Sequence, residues 1–580
     1  MTTLTIWDWE VEKYPLQVGV GVIIGGWTFV KLVNYFLQRS KLKSARVRKR
    51  AECKQAKQVL EDQIKQRNIS KEVVEEITNL SLSELQSKLK DGTLDVLDVL
   101  HAYQAKALEC DEKTNCIIEP FKEAEEWAAS VKENVSKDSP LFGVPVSLKE
   151  NYGVEGYDSV YGMSVLIGKP SHEDSVIGQV LRSQGAIPYV RTNVPQTMIS
   201  WDCSNPVFGA TKNPHDTTRT PGGSSGGECA LLAGQGSILG FGSDIGGSLR
   251  IPSNMCGTYG FKPTVGRLSA KGTHGCTKGQ QIVRAAYGPL ARDVDGLVTA
   301  MKALLVPLMF KLDPTVNPLP FRTEVFEDNR KLKIGWYDND GWFTPPPCMQ
   351  RGVAIAKAKL EAMGHTLVPW KPPNATLGAE LYVRAMFSDK CETINEMLRY
   401  DTLDVCFMIQ YTMANIYWPL RRFLVFILHY LMPSLSTGLK AIAGCDSAYD
   451  FWNLAVAAED YRKMVIEDWQ SHDLDAVISP GFGCPAIPLK TPALATSAVS
   501  YTTIFNVLNF PAGSLPVTKV NAADTANMKD YPTIDLAHKT VKKGMVGAEG
   551  LPVNVQCITL PWHEEQCLRV MKDLETALKA

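Results

Sequence analysis

The hydrophobic pattern at the start of the chain divides sharply. From Pro15 to Val30 nearly every position is apolar, and Leu32 to Leu37 carry the run past Lys31 to roughly 20 residues, about what a helix needs to cross a bilayer core. Asp8, Glu10 and Glu12 precede it, and Arg39, Lys41, Lys43, Arg46, Arg48, Lys49 and Arg50 follow it. Basic flanks stay on the cytoplasmic side, so this order predicts a single transmembrane anchor at 1–38 with everything after Arg39 in the cytosol. A cleaved signal peptide has the opposite order, positive charges first. Lys31 and the glycines Gly19, Gly21, Gly25 and Gly26 are the features that fit a buried N-terminal helix instead.

Downstream the pattern turns helical. Val59, Leu60 and Ile64, then Val73, Val74, Ile77 and Leu80, recur at helical spacing among charged residues, which predicts amphipathic helices between 51 and 115, two of them parted by Asp91-Gly92-Thr93. From Leu141 the texture changes to short apolar runs punctuated by Gly, Pro and Asn, alternating with helical stretches such as 174–184. That alternation predicts an α/β domain. The expected division is an anchor at 1–38, a basic juxtamembrane segment with amphipathic helices at 39–140, and the α/β domain at 141–580. A second apolar concentration, 405–435, is rich in aromatic and aliphatic residues but broken by Gln410, Asn415, Pro419, Arg421 and Arg422, so neither half spans a bilayer. Two readings stay open for it: an interfacial patch lying on a membrane, or core helices.

Composition narrows the partners. Lys and Arg number 61 against 62 Asp and Glu, and the net charge of -1 leaves no global field to draw in nucleic acid. The 14 cysteines show no CxxC pair or regular spacing, which argues against a zinc site or a disulfide framework, so neither metal nor cofactor is expected.

Three segments carry candidate chemistry. Gly143 to Glu150 reads as an apolar strand ending in Lys149; Pro221 to Glu228 is a Gly-Ser loop running into the helical stretch 229–233; Gly242 to Arg250 is a second Gly-rich turn around Ser248. A serine hydroxyl needs a neighbouring base to become a nucleophile. None of the nine histidines sits in a catalytic motif. A lysine can serve only if burial keeps its amine neutral, and the apolar strand before Lys149 is an element able to hold it away from water.

Gly222-Gly223-Ser224-Ser225-Gly226-Gly227-Glu228 followed by Asp244-Ile245-Gly246-Gly247-Ser248 resembles the amidase-signature family. Lys149 in its Gly-Val-Pro-Val-Ser-Leu-Lys-Glu setting, Asn193-Val194-Pro195-Gln196, Gly257 to Pro263, Asn509 to Gly513 and Gly550 to Val553 extend the match from about Leu141 to the end. The resemblance implies an α/β fold with a large mixed twisted β-sheet covered by helices on both faces. It implies a serine hydrolase with Ser248 as nucleophile, Ser224 as relay behind a cis Gly223-Ser224 peptide, and Lys149 as base. The backbone N–H groups of Ile245, Gly246, Gly247 and Ser248 would hold the oxyanion. Ser225 is expected to hydrogen-bond the triad, and Arg250 to fix the loop against Asp244.

Members of the family act on small amides, on glutamine in transfer-RNA complexes, and on fatty acid amides. The N-terminal span and the 405–435 patch make this chain most similar to the membrane-anchored branch acting on fatty acid amides. The patch would then be a membrane-contacting cap, and Met198, Ile199, Ser200 and Trp201 would line part of the acyl channel. Leu249, where isoleucine is common, and Trp201, bulkier than the usual Phe or Tyr, depart from the pattern. The resemblance also implies a homodimer on internal membranes, the endoplasmic reticulum and Golgi, with the catalytic domain cytoplasmic. Two alternatives compete with this reading. Gly223-Ser224-Ser225-Gly226-Gly227 satisfies G-x-S-x-G, which would make Ser225 the nucleophile of an α/β-hydrolase with Asp475 and His538 or His563. The other is a soluble glutamine amidotransferase subunit.

Overall fold

Short β-branched and apolar runs form thirteen strands among the described residues: β1 (Ile117–Pro120), β2 (Pro145–Lys149), β3 (Ile187–Thr192), β4 (Ser204–Asn205), β5 (Gly209–Ala210), β6 (Leu239–Asp244), β7 (Tyr259–Lys262), β8 (Ala286–Ala291), β9 (Lys333–Trp336), β10 (Thr366–Pro369), β11 (Ala476–Pro480), β12 (Ala512–Lys519) and β13 (Pro552–Ile558). The computed structural model describes residues 15–277, 279–431 and 433–580, with side chains from 27 onward apart from 278 and 431–435. Eleven strands build one sheet in the order β1-β3-β2-β6-β8-β7-β12-β13-β11-β9-β10, and β4 pairs with β5. The sheet is mixed: β3, β2 and β6 run parallel, as do β11, β9 and β10, while the strands between β6 and β11 pair antiparallel.

Both faces of this sheet are covered, which explains the continuous apolar runs. Along β11, Ala476 and Ile478 join one core while Val477 joins another, as the two-residue period of a strand requires. One of these cores also takes in Leu85, Val99 and Leu100 from the helices Leu82–Asp91 and Val96–Thr114. The break expected at Asp91-Gly92-Thr93 is a left-handed cap, with Gly92 at φ 82°. β1, on the N-terminal side of residue 141, pairs with β3, so the sheet begins before the boundary expected from sequence texture.

A single helix runs from Pro15 to Arg67, 53 residues, or about 80 Å at 1.5 Å per residue. No helix among the described residues is long and apolar enough to cross a membrane. Residues 1–14 of the expected anchor, and the side chains of 15–26, lie outside the described residues. Beyond them Trp27, Phe29, Val30, Phe36 and Leu37 are exposed, which removes the buried-helix alternative for that stretch. The basic cluster behind it does not simply face outward. Arg46 pairs with Asp401 (3.2 Å), Lys49 with Glu119 (3.3 Å), and Arg50 donates to the carbonyl of Pro206 (2.6 Å).

The 405–435 segment forms the helices Val405–Ala414 and Trp418–Leu431. The core-helix reading holds for one side of the pair only. Cys406, Phe407 and Ala414 are buried, and Leu424, Val425 and Leu428 pack inward against them. Trp418, Phe423, Phe426 and Tyr430 are exposed on the outer side, at 56 to 74%.

Candidate active site

The parallel register of β2 and β6 sets Leu148 beside Phe241, so the carboxyl ends of the two strands meet at one edge of the sheet. Open α/β sheets bind ligands outside such ends. There the completely buried Lys149 Nζ lies at hydrogen-bond distance from Ser224 Oγ (2.7 Å) and donates to Ser243 Oγ (3.0 Å) and to the Ser243 carbonyl (3.4 Å). Burial disfavours the ammonium and outweighs the pull of Asp244, so the amine is pushed down to about 7. A lysine in this state has a substantial neutral fraction at physiological pH, which a solvated one does not.

Ser224 comes from the loop entering the helix Gly226–Ala233, and the Gly223-Ser224 peptide is cis. The helix lies close under β3 because Gly227 has no Cβ; one placed there would come within 2.5 Å of the Asn193 nitrogen. Glu228, in the first turn, ties the helix to the sheet. Its carboxylate accepts Ser147 Oγ (2.5 Å) from β2 and Thr192 Oγ1 (2.6 Å) from β3, and burial pushes it up to about 7.

Ser248 lies in the turn between β6 and the helix Arg250–Cys256. Asp244 organises that turn. Its buried carboxylate accepts the N–H groups of Gly247 (2.7 Å) and Leu249 (3.1 Å), Arg250 Nε (3.1 Å) and Nη2 (3.1 Å), and Asn506 Nδ2 (2.9 Å). Burial works against its charge, but Arg250 and these donors hold it down at about 2. Arg250 is in turn fixed by the Thr502 carbonyl (3.0 Å), Asn506 Oδ1 (2.7 Å) and Gln556 Oε1 (3.2 Å). Gly247 adopts φ 127°, where a Cβ would also strike Thr502 Oγ1.

Ser224 and Ser248 line the same cavity, of about 370 Å³, together with Met198, Ile199 and Ile245. Among the described residues no hydrogen bond joins the two hydroxyls. Such contacts are often loose without substrate and tighten in the reacting complex.

Several expectations need correction. The Gly247 N–H is taken by Asp244, which leaves Ile245, Gly246 and Ser248 as the available oxyanion donors. Ser225 does hydrogen-bond the triad as expected, through its backbone: its N–H donates to the Ser248 carbonyl (3.3 Å), while its hydroxyl has no partner and sits against Gly242, where a Cβ would be 2.7 Å away. Ser200 does not line the cavity; its hydroxyl donates to the Cys406 carbonyl (2.9 Å) of the helix Val405–Ala414. Trp201 packs edge-on against Phe482, ring centroids 5.0 Å apart, inside a core. Sequence reasoning missed Ser243 and Glu228 as partners, although both lie within the quoted motifs.

The G-x-S-x-G reading finds no support here. Ser225 is fully buried, Asp475 pairs with Arg330 (2.7 Å), His538 with Asp535 (2.6 Å), and His563 Nδ1 with the Pro561 carbonyl (2.9 Å). Among the described residues no three His, Cys, Asp or Glu side chains are grouped to hold a metal ion.

The amidase family model matches residues 98–568. Fatty-acid amide hydrolase 1 of Sus scrofa is 44% identical over 499 residues, covering 86% of this chain and 85% of that protein. Fatty acid amide hydrolase 1 of Caenorhabditis elegans is 35% identical over 509 residues, covering 87% and 89%. A solved structure of a fatty acid amide hydrolase superposes with a TM-score of 0.75 at 26% identity, covering 95% of each chain.

Proposed function

This chain belongs to the amidase family and is a hydrolase of amide C–N bonds, and on that premise we propose that it cleaves fatty acid amides, and the corresponding esters, at a membrane surface through an acyl-enzyme on Ser248. The observation that carries the mechanism is the Lys149 amine, wholly buried and 2.7 Å from Ser224 Oγ, in the cavity onto which Ser248 also opens. Neutral Lys149 takes a proton from Ser224, which takes one from Ser248 as its oxygen attacks the carbonyl carbon. The N–H groups of Ile245, Gly246 and Ser248 receive the oxyanion, a role that preorganised backbone donors fill at little reorganisation cost. The Lys149 ammonium then returns the proton through Ser224 to the departing amine, which cannot leave as an anion. Water clears the acyl group by the same relay.

The substrate class draws support from the two fatty acid amide hydrolases that share most of this chain's length. The exposed aromatic face of Trp418, Phe423, Phe426 and Tyr430, with Trp27 and Phe36 on the long helix, supports contact with a bilayer, where long acyl amides reside. We extend the proposal to a single-pass enzyme of the endoplasmic reticulum and Golgi with its catalytic domain in the cytosol. The exposed stripe Tyr449, Trp452 and Val456 supports a homodimer.

Hydrolysis rates over a series of acyl amides, short to long, measured with phospholipid vesicles, test the substrate class; the rate constant is expected to climb with chain length. A fluorophosphonate probe followed by peptide mapping tests the nucleophile. The adduct is expected on Ser248, and an adduct on Ser225 rejects the assignment.

The acylation rate has a signed pH dependence. Lys149 is depressed to about 7, so its neutral fraction grows as pH rises through that value and saturates above it. The rate is expected to rise through an inflection near 7 and level off. A profile that continues upward toward the ordinary lysine range removes the neutral-base assignment.

A further inference from the structure

The long helix meets the rest of the protein at several points, among them Lys57 on Asp111 (2.6 Å), Arg67 on Glu125 (2.8 Å) and the turn 46–50. Arg46, Lys49 and Arg50 stand three and four residues apart, on one helical face, and each finds a partner. Lys49 is only 7% exposed, deep enough that its amine depends on its partners. It donates to both Glu119 oxygens (3.3 Å each) on β1 and approaches Asp158 (3.8 Å). The same Glu119 receives Arg191 Nη1 (3.0 Å) from β3, and Arg191 Nη2 donates to Ser159 Oγ (3.2 Å) and to the Glu150 carbonyl (2.8 Å). Glu150 is the residue after Lys149. A continuous buried path thus joins the long helix to the strand end that presents the amine.

Arg46 opens a second path. Its partner Asp401 also accepts Ser164 Oγ (2.7 Å) and the Thr402 N–H (2.8 Å). The Thr402 carbonyl accepts Gln196 Nε2 (2.9 Å), and Gln196 Oε1 accepts the Asp404 N–H (2.8 Å) at the start of the helix Val405–Ala414. Gln196 opens the short turn Gln196–Met198, whose last residue lines the cavity.

We propose that residues 46–50 of the long helix are a strut acting by two routes: Lys49, through Glu119 and Arg191, positions the end of β2 that carries Lys149, and Arg46, through Asp401 and Gln196, positions the cavity wall at Met198. Neither residue lines the cavity; both are positioning residues. The inference rests on Lys149 being the base. Its physical content is that a helix bearing the exposed apolar residues 27–37 also sets the geometry of the reaction centre, so the two routes affect different kinetic constants. Small displacements of a proton-transfer group lower turnover, whereas displacement of a binding wall weakens capture of the substrate that uses it.

The test uses the full-length chain in detergent, with a butanoyl and an octadecenoyl amide as substrates. Lys49→Met is expected to lower kcat on both about tenfold with KM changed by less than about twofold, as for a group acting through the reacting geometry. Lys49→Arg, which keeps the charge, is expected to recover kcat to within about threefold of the unmodified chain. Arg46→Met is expected to leave both kcat values within about twofold and to raise KM about tenfold for the octadecenoyl amide alone. Should Lys49→Met fail to fold, Lys49→Gln takes its place with the same expectation. An unchanged kcat in the Lys49 variant, an Arg variant no better than Met, or equal losses from Arg46→Met on both substrates overturns the strut. If the unmodified chain hydrolyses neither amide, the proposed function fails first and this inference falls with it.

Discussion

Lys149→Ala is expected to lower amide hydrolysis on the order of 10³- to 10⁴-fold and ester hydrolysis of the same acyl group by only about 10- to 10²-fold. The split follows from the two jobs assigned to one nitrogen. As a base it helps either substrate form the acyl-enzyme, since both need the Ser248 proton removed. As an acid it matters chiefly to the amide, because an alkoxide can depart unprotonated more readily than an amine anion. The position supports both jobs: Nζ lies 2.7 Å from Ser224 Oγ, buried, and pushed to about 7, so that it can hold or release a proton near neutrality. Parallel assays of a matched amide and ester measure the ratio. Equal losses remove the acid half of the mechanism and leave Lys149 as a base alone.

Arg250→Ala is expected to cost about 3–5 kcal/mol of stability, the range seen when one member of a buried ion pair is removed and the other charge is left behind. Asp244 would be that remaining charge, wholly buried and shorn of two guanidinium hydrogen bonds of 3.1 Å. The sign of its pH dependence is also fixed. In the unmodified chain the carboxyl is held at about 2, below its unfolded value, so its contribution is present above the ordinary carboxylate range and fades only as pH falls through about 2. Without Arg250, burial pushes the carboxyl up instead. The deficit should then shrink as pH falls and Asp244 becomes neutral. Urea unfolding of both proteins at neutral and mildly acidic pH checks this; a deficit that does not narrow in acid means Asp244 is not the stranded charge.

Much of the site was readable along the chain because its parts are local. The apolar run Val144 to Leu148 reads as a buried strand, and it delivers Lys149 to the sheet edge as β2. The Gly-Ser loop before residue 229 reads as a helix entry, and the helix begins at Gly226. What escaped depends on partners far away in sequence. Ser200 resembles a cavity residue until Cys406 claims its hydroxyl. Gly247 offers an N–H group in any motif, but only the folded turn shows Asp244 taking it. Arg46 and Lys49 fit a charge pattern for membrane orientation equally well whether or not they are paired, and the Asp401 partner of Arg46 lies 355 residues on. One-dimensional charge order reports sign and spacing; it does not report what a helix face will meet.

The meeting of β2 and β6 at one sheet edge has an evolutionary corollary. Lys149 and Asp244 terminate strands of an eleven-stranded sheet, and Ser224 and Ser248 sit beside helices packed on it, so the proton-handling parts cannot drift separately. Met198 and Ile199 belong instead to a short turn braced by the outer helices. Substitutions in that turn would reshape the cavity wall while leaving these strand and helix termini where they stand.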